Sequence, residues 1–340
     1  MPHSLKWRMR PRVPAPPRPD FTRRRFLTSL GLLAGAGALV PLLGRSRRAP
    51  MASIEAGRPL LGTWVRVVAR DRDAARATRA VERAFDAVRA VDAQMSVHRA
   101  DSDLARVNRA AGESAVAAPP ALLEVVERAC DAAGRTGALY DPTVLPLMTL
   151  YGFYGPARDL LPDAREIDRA LAVVGAGQVH VDRAAGTLFL AQRGAGLDLG
   201  SIGKGWAVDR AVEALRAEGV RSGLVDCGGN VFGLGVPEDG ADGWSVGLFH
   251  PVTHRTARVF TLRDAAIATS GNTERYRVIG GVRLGHLFDA RRGLPANGHL
   301  SVTVMAKTGV DSDRMSTAAY LLGPDRFHGW PEALDAFFIG

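Results

Sequence analysis

Apolar residues recur at helical spacing over residues 73–95, where Ala77, Val81, Phe85, Val88 and Val91 fall on one face. An Asp101-Ser102 cap signal opens a short helix over 102–108, and residues 121–133 and 163–174 read as two further amphipathic helices. Two more are expected at 206–218 and 313–322, the last closed by Gly323. Residues 59–69 alternate as one strand, with Trp64 and Arg66 opposite Val65 and Val67. Residues 137–155, rich in Gly, Tyr and Pro, read as a loop. Beyond residue 178 the pattern turns β-rich. Short apolar runs stand at 179–181, 187–190, 194–199, 223–225, 244–248, 259–262, 266–268 and 300–306, and the tail 337–340 is strand-like. Helices come early and strands later, without the alternation of βαβ units, which predicts one α+β domain over 55–340 with mixed or antiparallel strands.

The first 50 residues are set apart by charge and hydropathy. Thr22-Arg23-Arg24-Arg25-Phe26-Leu27-Thr28 carries a twin arginine ahead of an apolar run from Leu30 to Leu43. That run is short for a bilayer span and rich in glycine and alanine, so it reads as the apolar region of a twin-arginine export signal. Cleavage is expected near Ala49 or Ala52; without it the protein stays tethered to the membrane. Lys6 and ten arginines against Asp20 give residues 1–50 a net charge of +10, so the rest carries −1 of the total +9. The basic balance therefore belongs to the leader and gives no reason to expect nucleic acid as a partner. Cys130 and Cys227 permit one disulfide, require none, and read as two separate thiols.

Candidate chemistry begins at Asp198-Leu199-Gly200-Ser201-Ile202-Gly203-Lys204-Gly205, between a strand-like run and a helix. Such a turn offers helix-terminal amides and one cation to a bound phosphate. It is not a Walker A loop, because Gly205 stands where Ser or Thr would hold magnesium, and no dinucleotide fingerprint follows the strand. Alone it reads as a tight strand-to-helix turn. Gly271-Asn272-Thr273-Glu274-Arg275, the stretch from His286 to Gly293, and Asp311-Ser312-Asp313-Arg314-Met315-Ser316-Thr317 add polar residues that folding has little need of. Asp313 and Thr317, four apart, point from one helical face and form a hard-oxygen pair for magnesium. Taken singly, Asp313 reads as a charge at the start of the last helix.

Together with Leu61-Gly62-Thr63, Met95-Ser96-Val97-His98, Asp101 to Asn108, Leu139-Tyr140-Asp141-Pro142-Thr143, Gly228-Gly229-Asn230 and Thr269-Ser270-Gly271-Asn272, these segments run in one order over about residues 58–323. The chain resembles the FAD:protein FMN transferases, the ApbE-type flavin transferases. The resemblance implies a single domain related to the T-fold, and an enzyme that splits FAD with Mg²⁺, passes FMN to a threonine hydroxyl of an acceptor protein and releases AMP. It places Leu61, His98, Leu139, Tyr140, Asp141, Asp198, Lys204 and Leu287 on the flavin nucleotide. Asp313 and Thr317 match metal ligands, with Ser201 and Ser316 adding oxygens; Asp313 is also the candidate proton acceptor and His286 the residue assisting it. Leu61 replaces the family's usual methionine, His98 its usual aromatic and Ala290 its usual proline.

By the same resemblance the acceptor is a periplasmic subunit of a membrane redox complex, reached after export through the twin-arginine translocase. Two other readings stand beside transfer. One is an FAD-binding accessory protein of nitrous-oxide respiration; the other is a magnesium-dependent FAD pyrophosphatase. Retention of Asp313, Thr317, Lys204 and His286 favours chemistry over carriage, since a carrier needs no metal ligand.

Overall fold

A hairpin starts the domain where the alternation predicts one strand. In the computed structural model, which describes residues 51–238, 240–328 and 330–340, β1 (Ala52–Leu60) pairs with β2 (Thr63–Asp71) in antiparallel register from Ala52 opposite Asp71 to Leu60 opposite Thr63. Leu61 and Gly62 make the turn, with φ of 53° and 67°. Two consecutive left-handed residues match the twist of paired strands, so the expected strand at 59–69 is broken there. The export signal expected over residues 1–50 lies outside the described residues.

Six helices and three short strands follow before the sheet resumes. These are α1 (Ala74–Met95), α2 (Asp103–Arg109), β3 (Val116–Ala117), α3 (Pro120–Thr136), α4 (Leu145–Leu150), α5 (Ala164–Leu171), β4 (Val179–Asp182), β5 (Thr187–Leu190) and α6 (Gly203–Ala217). Asp73 caps α1 by accepting the amides of Ala75 and Arg76, and Ser102 caps α2. Helix α4 lies inside the loop expected at 137–155; Pro146 sits in its first turn, where a missing N–H does no harm. The expected strand at 194–199 does not form. Asn108 instead accepts the Leu197 amide at 2.8 Å and donates to its carbonyl at 3.0 Å, taking the place of a strand partner.

The second half supplies β6 (Ser222–Cys227), β7 (Asn230–Leu234), β8 (Trp244–Phe249), β9 (Thr256–Leu262), β10 (Ala265–Gly271), β11 (Tyr276–Ile279), β12 (Val282–Gly285), β13 (Phe288–Asp289), β14 (Leu294–Pro295) and β15 (Ser301–Ala306). It ends in α7 (Gly309–Leu322), α8 (Pro324–Phe327) and β16 (Ala333–Ile339). Seven strands form one sheet in the order β1-β2-β6-β7-β10-β15-β16, and every pair in it is antiparallel. The fold is α+β, as the order of elements predicts.

Side-chain parity gives that sheet two covered faces. Val65, Val67, Val225, Phe232 and Ala266 turn toward α1 and α6, while Val302, Val304 and Ala306 turn toward α7. The alternate residues Val68, Leu224, Val231 and Ile267 meet Leu248, Phe260 and Leu262 of the β8–β9 hairpin. A separate apolar cluster joins Leu147, Met148, Tyr151 and Phe153 to Ile279, Leu284 and Phe288, and sets the 151–154 segment against the β11–β12 hairpin. Both cysteines are free. Among the described residues no helix is long and apolar enough to cross a membrane.

Candidate functional site

Helices α6 and α7 cross at two glycines. A Cβ on Gly205 would lie 2.1 Å from the Gly309 carbonyl oxygen, and one on Gly309 would lie 2.5 Å from that of Gly205. This approach lets each helix cap the other. Asp313 of α7 accepts the Gly205 amide at 2.8 Å. Asp209 of α6 accepts the amides of Gly309 at 2.6 Å and Val310 at 2.9 Å. Burial pushes the Asp209 carboxyl up to about 6, against the pull of those two amides.

Helix α7 begins four residues ahead of Asp313. Thr308 caps it by accepting the Asp311 amide at 3.2 Å, so Asp313 stands in the second turn and its carboxylate serves the other helix. Burial raises the Asp313 carboxyl above the ordinary range; the Lys204 charge and the neighbouring backbone amides oppose this. The Lys204 ammonium is 3.9 Å from Asp313 Oδ1 and donates to the Gly200 carbonyl at 3.0 Å. The amide of Gly203 is bonded to the Leu199 carbonyl at 2.8 Å. The amides of Gly203 and Gly205 are therefore engaged within the protein, so this helix start has fewer free amides for a phosphate than expected, and the Lys204 cation stands beside them.

Hydroxyls collect around the same corner. Ser201 donates to the Tyr140 hydroxyl at 2.8 Å. Ser270, at the end of β10, lies 2.8 Å from Ser316 Oγ and 2.9 Å from Thr317 Oγ1, and Ser316 donates to the Asp313 carbonyl at 2.9 Å. Asp313, Ser316 and Thr317 are all buried.

A second wall runs from the loop ahead of α6. Asp198 accepts the Gly200 amide at 2.8 Å and the Tyr154 hydroxyl at 2.7 Å. His98, exposed, meets the Tyr154 ring edge-on with centroids 5.2 Å apart, and the Arg275 guanidinium lies over the same ring at 5.3 Å. His286 Nδ1 is 3.1 Å from the Arg275 carbonyl. A carbonyl only accepts, so Nδ1 carries the proton and Nε2 keeps its lone pair. Burial, then the charge of Arg275, hold the imidazole down at about 4, with Lys204 adding to the effect.

The remaining sequence-derived candidates are placed mainly by their backbones. Asp141 is buried and engaged by backbone and neighbours: Oδ1 accepts from the Thr143 amide and hydroxyl at 2.9 and 2.6 Å, and Oδ2 from the Ala176 amide, in the segment after α5, at 2.9 Å. The Leu139 carbonyl receives the Ala290 amide at 3.1 Å, which ties the 139–141 loop to the segment after His286. Leu287 is buried, with its amide donating to Asn272 Oδ1 at 3.2 Å. Leu61 is half-buried in the β1–β2 turn.

The profile of the ApbE family matches residues 61–338. The chain belongs to the ApbE family. Similar ApbE-family relatives include a protein named FAD:protein FMN transferase from Treponema pallidum (strain Nichols), 33% identical over 300 residues and covering 82% of each chain. One of the same name from Klebsiella pneumoniae (strain 342) is 31% identical over 265 residues, 76% of this chain and 81% of its own. Among solved ApbE structures, that of the Thermotoga maritima protein aligns with a TM-score of 0.76 at 28% identity, covering 84% of this chain and 94% of that one. The flavin transferase ApbE from Vibrio cholerae aligns at 0.75 and 27% identity, over 86% and 98%. Every candidate residue from Leu61 to Thr317 lies within the ApbE match.

Four residues of this ApbE-family site escape the sequence reading. Ser270 and Arg275 stand inside motifs singled out for their polarity, without a role of their own. Tyr154 lies in a stretch read as loop. Asp209 sits one turn past Gly205, and only the crossing of α6 and α7 distinguishes it from any other helical aspartate.

Proposed function

We propose that this protein transfers the FMN moiety of FAD to a threonine hydroxyl of an acceptor protein, with AMP as the leaving product. The observation that carries the reading is one corner of the fold: a buried carboxylate, Asp313, beside the one ammonium of the glycine-rich turn and the hydroxyls of Ser201, Ser316 and Thr317. Phosphoryl transfer asks a protein for position and charge rather than for covalent chemistry, and this corner supplies both.

The donor set suits magnesium. Asp313 Oδ2 is used by the Gly205 amide, leaving Oδ1; the Thr317 and Ser201 hydroxyls each bond only to another hydroxyl, so both keep lone pairs. One carboxylate and neutral oxygens, with no nitrogen or sulfur, match a hard cation that keeps waters and phosphate oxygens as further ligands. Among the described residues no group of three His, Cys, Asp or Glu side chains offers another metal site. Asp313, Thr317 and Ser201 would hold the ion, with Ser316 behind them on the Asp313 carbonyl. The ion's contribution, when bound, is positive charge at the pyrophosphate oxygens.

Lys204 and the loop from Asp198 hold the dinucleotide. The acceptor's threonine oxygen forms a bond to the phosphorus of the FMN half as the pyrophosphate bond to the AMP half breaks, and AMP departs with the bridging oxygen. The threonine proton passes to Asp313, directly or through water, with His286 Nε2 near as a second acceptor. The acceptor we have in view is a periplasmic subunit of a membrane redox complex, reached after twin-arginine export.

The test is to incubate the purified protein with FAD, Mg²⁺ and a threonine-bearing acceptor domain, then read in-gel flavin fluorescence and free AMP. Fluorescent acceptor with matching AMP supports transfer. FMN and AMP released without labelling make the protein a pyrophosphatase instead, and bound FAD with neither product makes it a carrier.

A further inference from the structure

A flavin dinucleotide carries a negative charge on each of its two phosphoryl groups. The turn expected to receive them has spent the amides of Gly203 and Gly205 within the protein, the second of them on Asp313. Lys204 is the one cation this turn brings to a doubly charged group, and it stands next to a carboxylate. The wall opposite in sequence holds a second cation. Arg275 is half-buried, and among the described residues its guanidinium makes no ion pair. It lies on the Tyr154 ring at 5.3 Å, and its own carbonyl receives His286. Contact with a tyrosine offsets part of the guanidinium's loss of water but, beyond the Tyr154 hydroxyl, leaves its N–H donors without a carboxylate. A planar fork held over an aromatic ring, with no carboxylate to satisfy it, is arranged for an anion supplied from outside.

Tyr154 fixes the geometry. Its hydroxyl is bonded to Asp198, three residues ahead of Ser201, so the ring that carries Arg275 is anchored to the loop that carries Lys204. Arg275 also lowers the affinity of His286 for a proton alongside Lys204, which puts both cations within electrostatic reach of the same imidazole. We propose that Arg275 is the second anion-binding residue of the site and grips the dinucleotide's pyrophosphate together with Lys204, so that the site selects flavins bearing phosphate over the uncharged flavin. This rests on the flavin-transfer reading above.

The test compares wild type with Arg275→Ala, Arg275→Gln and Arg275→Lys in metal-free buffer. FAD and riboflavin are titrated by flavin fluorescence, and inorganic pyrophosphate is added as a competitor of FAD. Arg275→Ala and Arg275→Gln should weaken FAD at least ~10-fold, the loss expected from one charge-assisted hydrogen bond. Riboflavin affinity should hold within about 2-fold, pyrophosphate should compete less well, and Arg275→Lys should recover part of the loss. Equal losses for FAD and riboflavin would make Arg275 a support for the Tyr154 ring and overturn the proposal, as would unchanged pyrophosphate competition. If Arg275→Ala does not fold, the Gln and Lys variants carry the same comparison. A wild-type protein that binds no FAD sinks the flavin reading itself, whereas normal FAD binding in wild type and variants alike sinks only the role of Arg275.

Discussion

Asp313 performs two tasks with one carboxylate. One oxygen closes the start of α6 through the Gly205 amide, and the other faces Lys204. Asp313→Asn keeps an oxygen for the amide and removes the charge. Since burial penalises the ionised form, the variant's melting temperature should stay the same or rise. FMN transfer should fall at least ~10²-fold, the low end for a lost proton acceptor, with the weaker metal site adding to it. Melting and flavinylation measured on one sample check this; transfer near the wild-type rate removes Asp313 from the chemistry. His286 gives a pH signature. Its folded value of about 4 lies below the ordinary 6.5, so between them the unfolded chain takes up a proton that the folded one refuses. The stability linked to it is complete above pH 6.5 and is lost as the pH falls toward 4. Thermal melts from neutral pH down to 4 should therefore fall less steeply for His286→Asn than for wild type. Equal slopes would place the acid sensitivity elsewhere.

At the scale of elements, the crossing of α6 and α7 sets the site. Gly205→Ala drives a methyl against the Gly309 carbonyl, which is backbone and cannot swing aside, so a loss of at least about 2 kcal/mol is expected. Asp209→Ala strips the Gly309 and Val310 amides of their acceptor, at about 1–3 kcal/mol for each buried group left unpaired. Denaturant titration measures both, and a Gly205→Ala protein as stable as wild type would mean the helices stand further apart. None of this crossing was legible in the sequence. The long helices were, because the apolar stripe of α1 and its Asp73 cap are local signals. The start of α7 was misread because Asp311 and Asp313 both suit a first turn, and Thr308, the residue that decides, was passed over. Two-residue strands such as β13 and β14 carry no period to read. Most of the candidate site was proposed from the order of its motifs. Tyr154 and Asp209 were missed because their roles rest on contacts with residues 44 and 100 positions away.

On the scale of the whole molecule, the α+β class followed from helices preceding strands, but the sheet order could not. Strands β2 and β6 pair across some 150 residues, and the β8–β9 hairpin leaves the sheet to cover its outer face, through Phe260 and Leu262. The basic leader belongs to a separate question. Replacing Arg23 and Arg24 by lysine should hold the protein in the cytoplasm; fractionation checks it, and normal periplasmic accumulation would rule out the twin-arginine route.

The mutual capping of α6 and α7 also has a consequence in time. A chain emerging from the ribosome completes α6 long before α7 exists. Until residue 309 arrives, Asp209 has no amide to hold, and until residue 313 arrives the Gly205 amide has no carboxylate. The proposed catalytic corner is thus among the last pieces to close. A nascent or C-terminally clipped molecule presents Lys204 without its counterpart, so on the roles proposed above it should be inert, and acquisition of flavin-transfer activity during refolding should lag behind the return of helical signal.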